Sequence, residues 1–380
     1  MRGFIKLVVT SAILFSAPNV FAQCPTPTQL DTDLTAAAQA STISLSGVNP
    51  ITCPEIEMSQ SWSGGKLIFS DSPESPTAKG KLYEDATLTA TAGTAYNRVF
   101  LYHTNGKASG KARFTVLVKN LGAASATLTV QAKGTAGPST SYLYAGKLAF
   151  NRWTLSTAGS GVAVAAGATV RIDSVFDALQ ASPANLLHGI WDYSFTQAHQ
   201  ITICMIDPND DPLTVCPTLA LLARDTHQRG TFPYADKIYD TAAGVQVDTT
   251  ADIQQFPLGG NTANDSAAVG VDVTDGSSQT LAGNYGILYR MHLNTKSSDG
   301  RNLGALINPR GGTWGGAINI VAGLLAGGKF LIPPTTGSNG DNTKASVAGR
   351  YAPGASFTIW AQFMPTGGSS FPLRWVLVPH

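Results

Sequence analysis

The chain is short of charge. Asp, Glu, Lys and Arg make up 13% of its 380 residues, and the formal net charge is +1. No Lys/Arg cluster occurs, which argues against nucleic acid as a partner and against attraction to an anionic membrane surface. Long helices with charged solvent faces are also poorly served by this composition. After the first 22 residues no apolar run is long enough to span a bilayer, so no membrane insertion is expected. Patterned reactive chemistry is missing as well. There is no C-x-x-C, H-x-H, H-E-x-x-H or G-x-S-x-G arrangement, and His103, His188, His199, His227 and His292 are dispersed. Neither a metal nor a cofactor is expected.

What the chain does have is a first segment patterned for export. Arg2 and Lys6 precede an apolar stretch from Leu7 to Phe15, and Val20-Phe21-Ala22 offers small residues for cleavage before Gln23. Residues 1–22 therefore read as a signal peptide, and the mature chain as secreted, periplasmic or cell-surface. Export makes disulfides plausible for its four cysteines. Three pairings are open; the local one, Cys24–Cys53 with Cys204–Cys216, is favoured.

The rest reads as β structure. Around Arg98 to Val130, three runs carry β-branched and aromatic residues between Gly-rich breaks. Phe114, Val116 and Val118 share one face of the second run; Ala126, Leu128, Val130 and Ala132 share one face of the third. A similar plan returns at 283–290, 304–308 and 317–320. Short strands with frequent turns predict an all-β fold of two tandem antiparallel β-sandwich domains. The expected boundaries are a cysteine-tied leader at 23–62 packed on the first domain, domains at 63–206 and 229–380, and a linker at 207–228. Within the first domain, Leu148 to Leu155 and Ala168 to Val175 are predicted strands. Asp31 to Ala40 and Leu219 to Arg224 are predicted short helices.

Five stretches carry a resemblance: Ser70-Asp71-Ser72-Pro73-Glu74, Gly137-Pro138-Ser139, Arg229-Gly230-Thr231-Phe232-Pro233, Gly283-Asn284-Tyr285-Gly286 and Asn308-Pro309-Arg310-Gly311-Gly312. With these the chain resembles a family of secreted bacterial proteins of uncharacterised function. Some members are labelled copper-amine-oxidase-like because of an attached stalk domain, and no such segment is visible here. The resemblance implies an exported bacterial protein and supplies no catalytic residues.

Candidate sites are few. Trp314 lies in the Gly-rich turn Arg310–Gly316, where it is either an anchor folded back on its domain or an exposed stacking platform for a sugar, with Arg310 beside it as a hydrogen-bond donor. Trp153, Trp191 and Trp375 are expected in strands and in the core. Asp207, Asn209 and Asp211 have the spacing that opens some calcium loops, but Pro212 and Leu213 follow, so the segment reads as an acidic linker. Asp71, Glu74, Glu84, Asp85, Asp173, Asp177 and Asp192 offer carboxylates for a glycosidase without singling out a pair. The leading expectation is a non-catalytic binding or structural protein of the bacterial cell surface or extracellular matrix, with polysaccharide as its partner. The alternative is a carbohydrate-active hydrolase using paired carboxylates.

Overall fold

The computed structural model of the chain describes residues 24–91, 95–260, 262–322, 328–333 and 337–380. The expected signal peptide lies outside them. The strands of the N-terminal half are β1 (Thr42–Ser44), β2 (Met58–Ser63), β3 (Leu67–Ser70), β4 (Gly80–Leu88), β5 (Asn97–Thr104), β6 (Arg113–Asn120), β7 (Ala126–Ser139), β8 (Val162–Val164), β9 (Thr169–Arg171), β10 (Leu186–Phe195) and β11 (His199–Ile206). Those that follow are β12 (Arg229–Phe232), β13 (Asp236–Thr241), β14 (Val247–Asp248), β15 (Gln254–Leu258), β16 (Ala268–Asp272), β17 (Ser277–Leu281), β18 (Leu288–Lys296), β19 (Leu303–Pro309), β20 (Gly316–Ala322), β21 (Gly328–Ile332), β22 (Lys344–Tyr351), β23 (Phe357–Phe363) and β24 (Leu373–Pro379).

The fold is all-β, built as two sandwiches. In the first, the order β3-β5-β10-β7-β8 faces β4-β11-β6-β9; in the second, β13-β18-β23-β20-β21 faces β15-β24-β19-β22. Strand for strand the two have the same order and direction, including one parallel pair each, β3 with β5 and β13 with β18. The runs that echo one another in sequence fall on equivalent strands: β5, β6 and β7, and then β18, β19 and β20. Period-two alternation explains each core. On β6, Phe114, Val116 and Val118 point into the first; on β24, Leu373, Trp375 and Leu377 point into the second.

The sheets do not divide at the expected boundaries. β2 leads directly into β3 but pairs antiparallel with β13 of the other sandwich. β12 leads directly into β13 but pairs antiparallel with β3. Each half thus lends the strand before its first to its neighbour, and the β16–β17 hairpin extends the first half's sheet beyond β12. The leader also packs differently from expectation. The helix α1 (Thr28–Ala36), β1 and the Cys24–Cys53 disulfide lie on the second sandwich, where Leu30 and Leu34 meet Leu306, Val347, Val376 and Val378. The cause is readable on β24: its outward residues Val376 and Val378 are as apolar as its inward ones, so that face needs a cover. The second disulfide, Cys204–Cys216, ties β11 to the short helical turn Pro212–Val215.

Two predicted strands are corrected. Leu148–Leu155 belongs to the helix α2 (Tyr142–Leu155), which buries Ala145, Ala149, Phe150 and Trp153 at helical spacing. Gly134 on β7 lets this helix approach: a Cβ there would sit 1.9 Å from the Ala149 carbonyl oxygen. Ala168–Val175 is strand only over β9, then bends into α3 (Ser174–Asp177), capped by the Asp173 carboxylate on the amides of Val175 and Phe176. Asp31 lies inside the first turn of α1, which starts at Thr28 and ends at Ala36. Leu219–Arg224 is extended, and Leu221 bridges to Lys81. Between the two sandwiches α2 and a third apolar cluster fill the gap, with Phe69, Phe100 and Tyr102 from one half and Leu281, Ile287 and Leu288 from the other.

Candidate active site

A cavity of about 380 Å³ opens where the two halves meet. β3 and β5 supply its floor. Their inward residues Ile68, Val99 and Leu101 belong to the first core, so Phe69, Phe100 and Tyr102 must face the other way, toward the cavity. The second half supplies Tyr285 and the loop Gly367–Ser369. Tyr285 is fixed by donating its hydroxyl to the Ser369 carbonyl at 2.6 Å. Gly367 closes over the Tyr102 ring, where a Cβ would come within 2.2 Å.

The titratable groups stand on the rim. Asp71 and Glu74 follow β3, and His227 and Gln228 precede β12. These two segments are about 150 positions apart in sequence, and the pairing of β12 with β3 brings them together. Asp225 organises the cluster. Its carboxylate accepts from Ser72 Oγ at 2.9 Å, the Glu74 amide at 2.8 Å and the His227 amide at 2.8 Å. The His227 ring spans two carboxylates, with Nδ1 3.1 Å from Asp225 and Nε2 3.3 Å from Glu74. Beneath them buried His103 fixes the loop, its Nδ1 2.8 Å from the Pro73 carbonyl and its Nε2 2.8 Å from Ser70 Oγ. Burial holds the His103 imidazole down at about 4, so it stays neutral and structural.

Asp71 and Asp225 are pushed in opposite directions. Burial, and then the negative charges of Glu74 and Asp225, raise the Asp71 carboxyl well above the ordinary carboxylate range. Its Oδ1 is buried with no hydrogen-bond partner among the described residues. For Asp225, burial pushes upward but the hydrogen bonds from Glu74, His227 and Ser72 outweigh it, and the net shift is downward. A carboxyl pushed up beside one held down, as Asp71 stands beside Asp225, is the arrangement acid–base catalysis requires.

The other sequence candidates are occupied elsewhere. Trp314 is 1% exposed and its ring packs in the second core near Phe363, which removes the exposed-platform reading. The apolar cover comes from across the sandwich, where the sequence neighbours of Trp314 are only Gly and Thr. Arg310 donates to Asn49 Oδ1 at 2.7 Å and so holds the leader. Trp191 and Trp375 are buried in strands; Trp153 is buried on α2. Asp207 pairs with Lys79 and Lys107, Asp210 with Lys79, and Asp211 with Arg171. Glu84 pairs with Lys81, Asp85 accepts from Thr87 and Thr231, Asp177 pairs with Arg113 and Arg171, and Asp192 with Arg98. Of the seven carboxylates considered, Asp71 and Glu74 alone line this cavity. Asp225, His227, Tyr102 and Tyr285 were not singled out in the sequence; the one signal was that three of the five resemblance stretches end here, Ser70–Glu74 and Gly283–Gly286 on the cavity and Arg229–Pro233 as the strand beside β3. No family model and no curated sequence matches the chain.

Proposed function

We propose that the chain is an exported hydrolase acting on a glycosidic bond in the cavity between its halves. Asp71 is the proton donor to the leaving oxygen. Glu74, oriented by His227 and Asp225, is the carboxylate that activates water or stabilises positive charge at the reacting carbon. The Asp71 carboxyl beside Glu74 carries this reading, because its buried Oδ1 has no partner among the described residues, whereas a merely structural Asp would be paired, as Asp192 and Asp272 are. Tyr102 and Tyr285 offer ring faces and hydroxyls, and among the described residues no Lys or Arg lines the cavity, which favours a neutral saccharide over an anionic one. Two disulfides and an export-type first segment support action outside the cytoplasm. We also propose that the halves arose by duplication, which the matching strand orders support. The test is release of reducing ends from a panel of neutral polysaccharides at pH 4–8. Wild type is expected to release them, and Asp71→Asn and Glu74→Gln to lose at least about a hundredfold in rate. Release that survives Asp71→Asn, or none by the wild type across the panel, overturns the proposal.

A further inference from the structure

A second feature lies outside the cavity, on the outward face of the sheet containing β13, β18 and β23. Backbone register places Asp240, His292 and Trp360 in one cross-strand row: Asp240 opposite His292, and His292 opposite Trp360. Neighbouring strands in such a row stand about 4.8 Å apart. Trp360 is 47% exposed, whereas Trp191, Trp314 and Trp375 are fully buried. Its ring is steadied from one side by His292, with centroids 4.4 Å apart. His292 in turn has Nδ1 2.8 Å from Asp240 Oδ1. Flanking the row, Thr358 donates to Asn294 at 3.1 Å on one side; on the other Asn319 donates to Gln362 at 2.7 Å, and Arg290 stands opposite Gln362 with its charge engaged by Asp236 at 2.8 Å.

We infer that this row is a saccharide-binding platform, in which a pyranose ring stacks its C–H face on Trp360 and hydrogen-bonds to Asp240, His292 and the flanking amides. Three observations select this ligand class. Among the described residues Trp360 is the large exposed apolar side chain of this row, less area than a protein partner needs at several hundred Å² per side. Amides, a hydroxyl and a carboxylate ring it, matching the alternating hydroxyls of a sugar edge. The face lies on a regular sheet, so the platform is held without ordering a loop. The ligand class is a neutral β-linked hexose or N-acetylhexosamine polymer, whose units present axial hydrogens on one face.

The platform is independent of the proposed chemistry, and affinity electrophoresis separates the two. The full chain is run in native gels with and without hydroxyethylcellulose or glycol chitin. Wild type is expected to be retarded by at least one polymer, and Asp71→Asn equally so. Trp360→Ala is expected to weaken retention at least about tenfold. Because Trp360 is half exposed, this variant should melt close to wild type, which a thermal scan checks. Trp360→Phe, which keeps an aromatic face, should retain part of the binding. The inference is overturned if neither polymer retards the wild type, if Trp360→Ala is retarded equally, or if retention follows Asp71 instead of Trp360.

Discussion

Replacing Arg98 with Met probes the joint between the halves. Arg98 is fully buried on β5. Nε and Nη2 bond Asp192 at 2.7 and 2.9 Å, within the same half. Nη1 reaches across to the carbonyls of Ala235 and Gly286 at 2.8 and 3.1 Å, and lies 3.3 Å from Asp236 Oδ1. Arg98→Met leaves Asp192 buried without its partner, a loss of about 3–5 kcal/mol. Two carbonyls lose a donor as well, about 1 kcal/mol each when unsatisfied. Asp236 keeps Arg290 at 2.8 Å and Tyr96, which limits the damage on that side. The sum is about 5–7 kcal/mol, against a typical total stability of about 5–15 kcal/mol. Urea unfolding followed by tryptophan fluorescence measures it. Arg98→Met combined with Asp192→Leu removes both buried charges and should recover a large part of the loss. A cost below about 1 kcal/mol for Arg98→Met, or no recovery in the double variant, would show that this network does not join the halves.

Three further outcomes are expected. Asp71→Asn should melt higher than wild type above the ordinary Asp range: the folded carboxyl is raised, so the wild type loses stability as pH climbs through that value, while Asn does not titrate; thermal scans from pH 3 to 8 should show the difference vanishing in acid. Cys204→Ser with Cys216→Ser opens a loop of 12 residues and should cost about 3 kcal/mol by chain entropy, measured by denaturant titration. Trp314→Ala should cost about 3–5 kcal/mol, as for a buried core aromatic; Trp314→Phe should cost much less, because it also removes a buried indole N–H that lacks a partner among the described residues.

Fold class was legible because alternation survives wherever one face of a strand meets a core, as on β6 and β24. The α2 helix was not. Leu148 to Leu155 is eight residues long, too short a window to separate the two spacings, and its partners lie on β7, β10 and β20 in two different sandwiches. The leader's position was missed for a related reason: a strand apolar on both faces, such as β24, does not say what covers its second face. The same holds for β5, buried at all eight positions, with Val99 and Leu101 facing one core and Phe100 and Tyr102 another. The candidate site was half legible. Asp71 and Glu74 were visible as carboxylates, but Asp225 and His227 reach them only because β12 crosses to pair with β3. Spacing along a chain carries no trace of such an exchange.

The central claim is that the Asp71 carboxyl is raised while that of its neighbour Asp225 is lowered. Labelling the Asp carboxyl carbons with ¹³C and titrating the full chain by NMR, with Asp71→Asn to assign the resonance, measures this directly. The predicted result is a midpoint for Asp71 well above that of Asp225 in the same spectra. A midpoint for Asp71 at or below about 4, the ordinary Asp value, would contradict it.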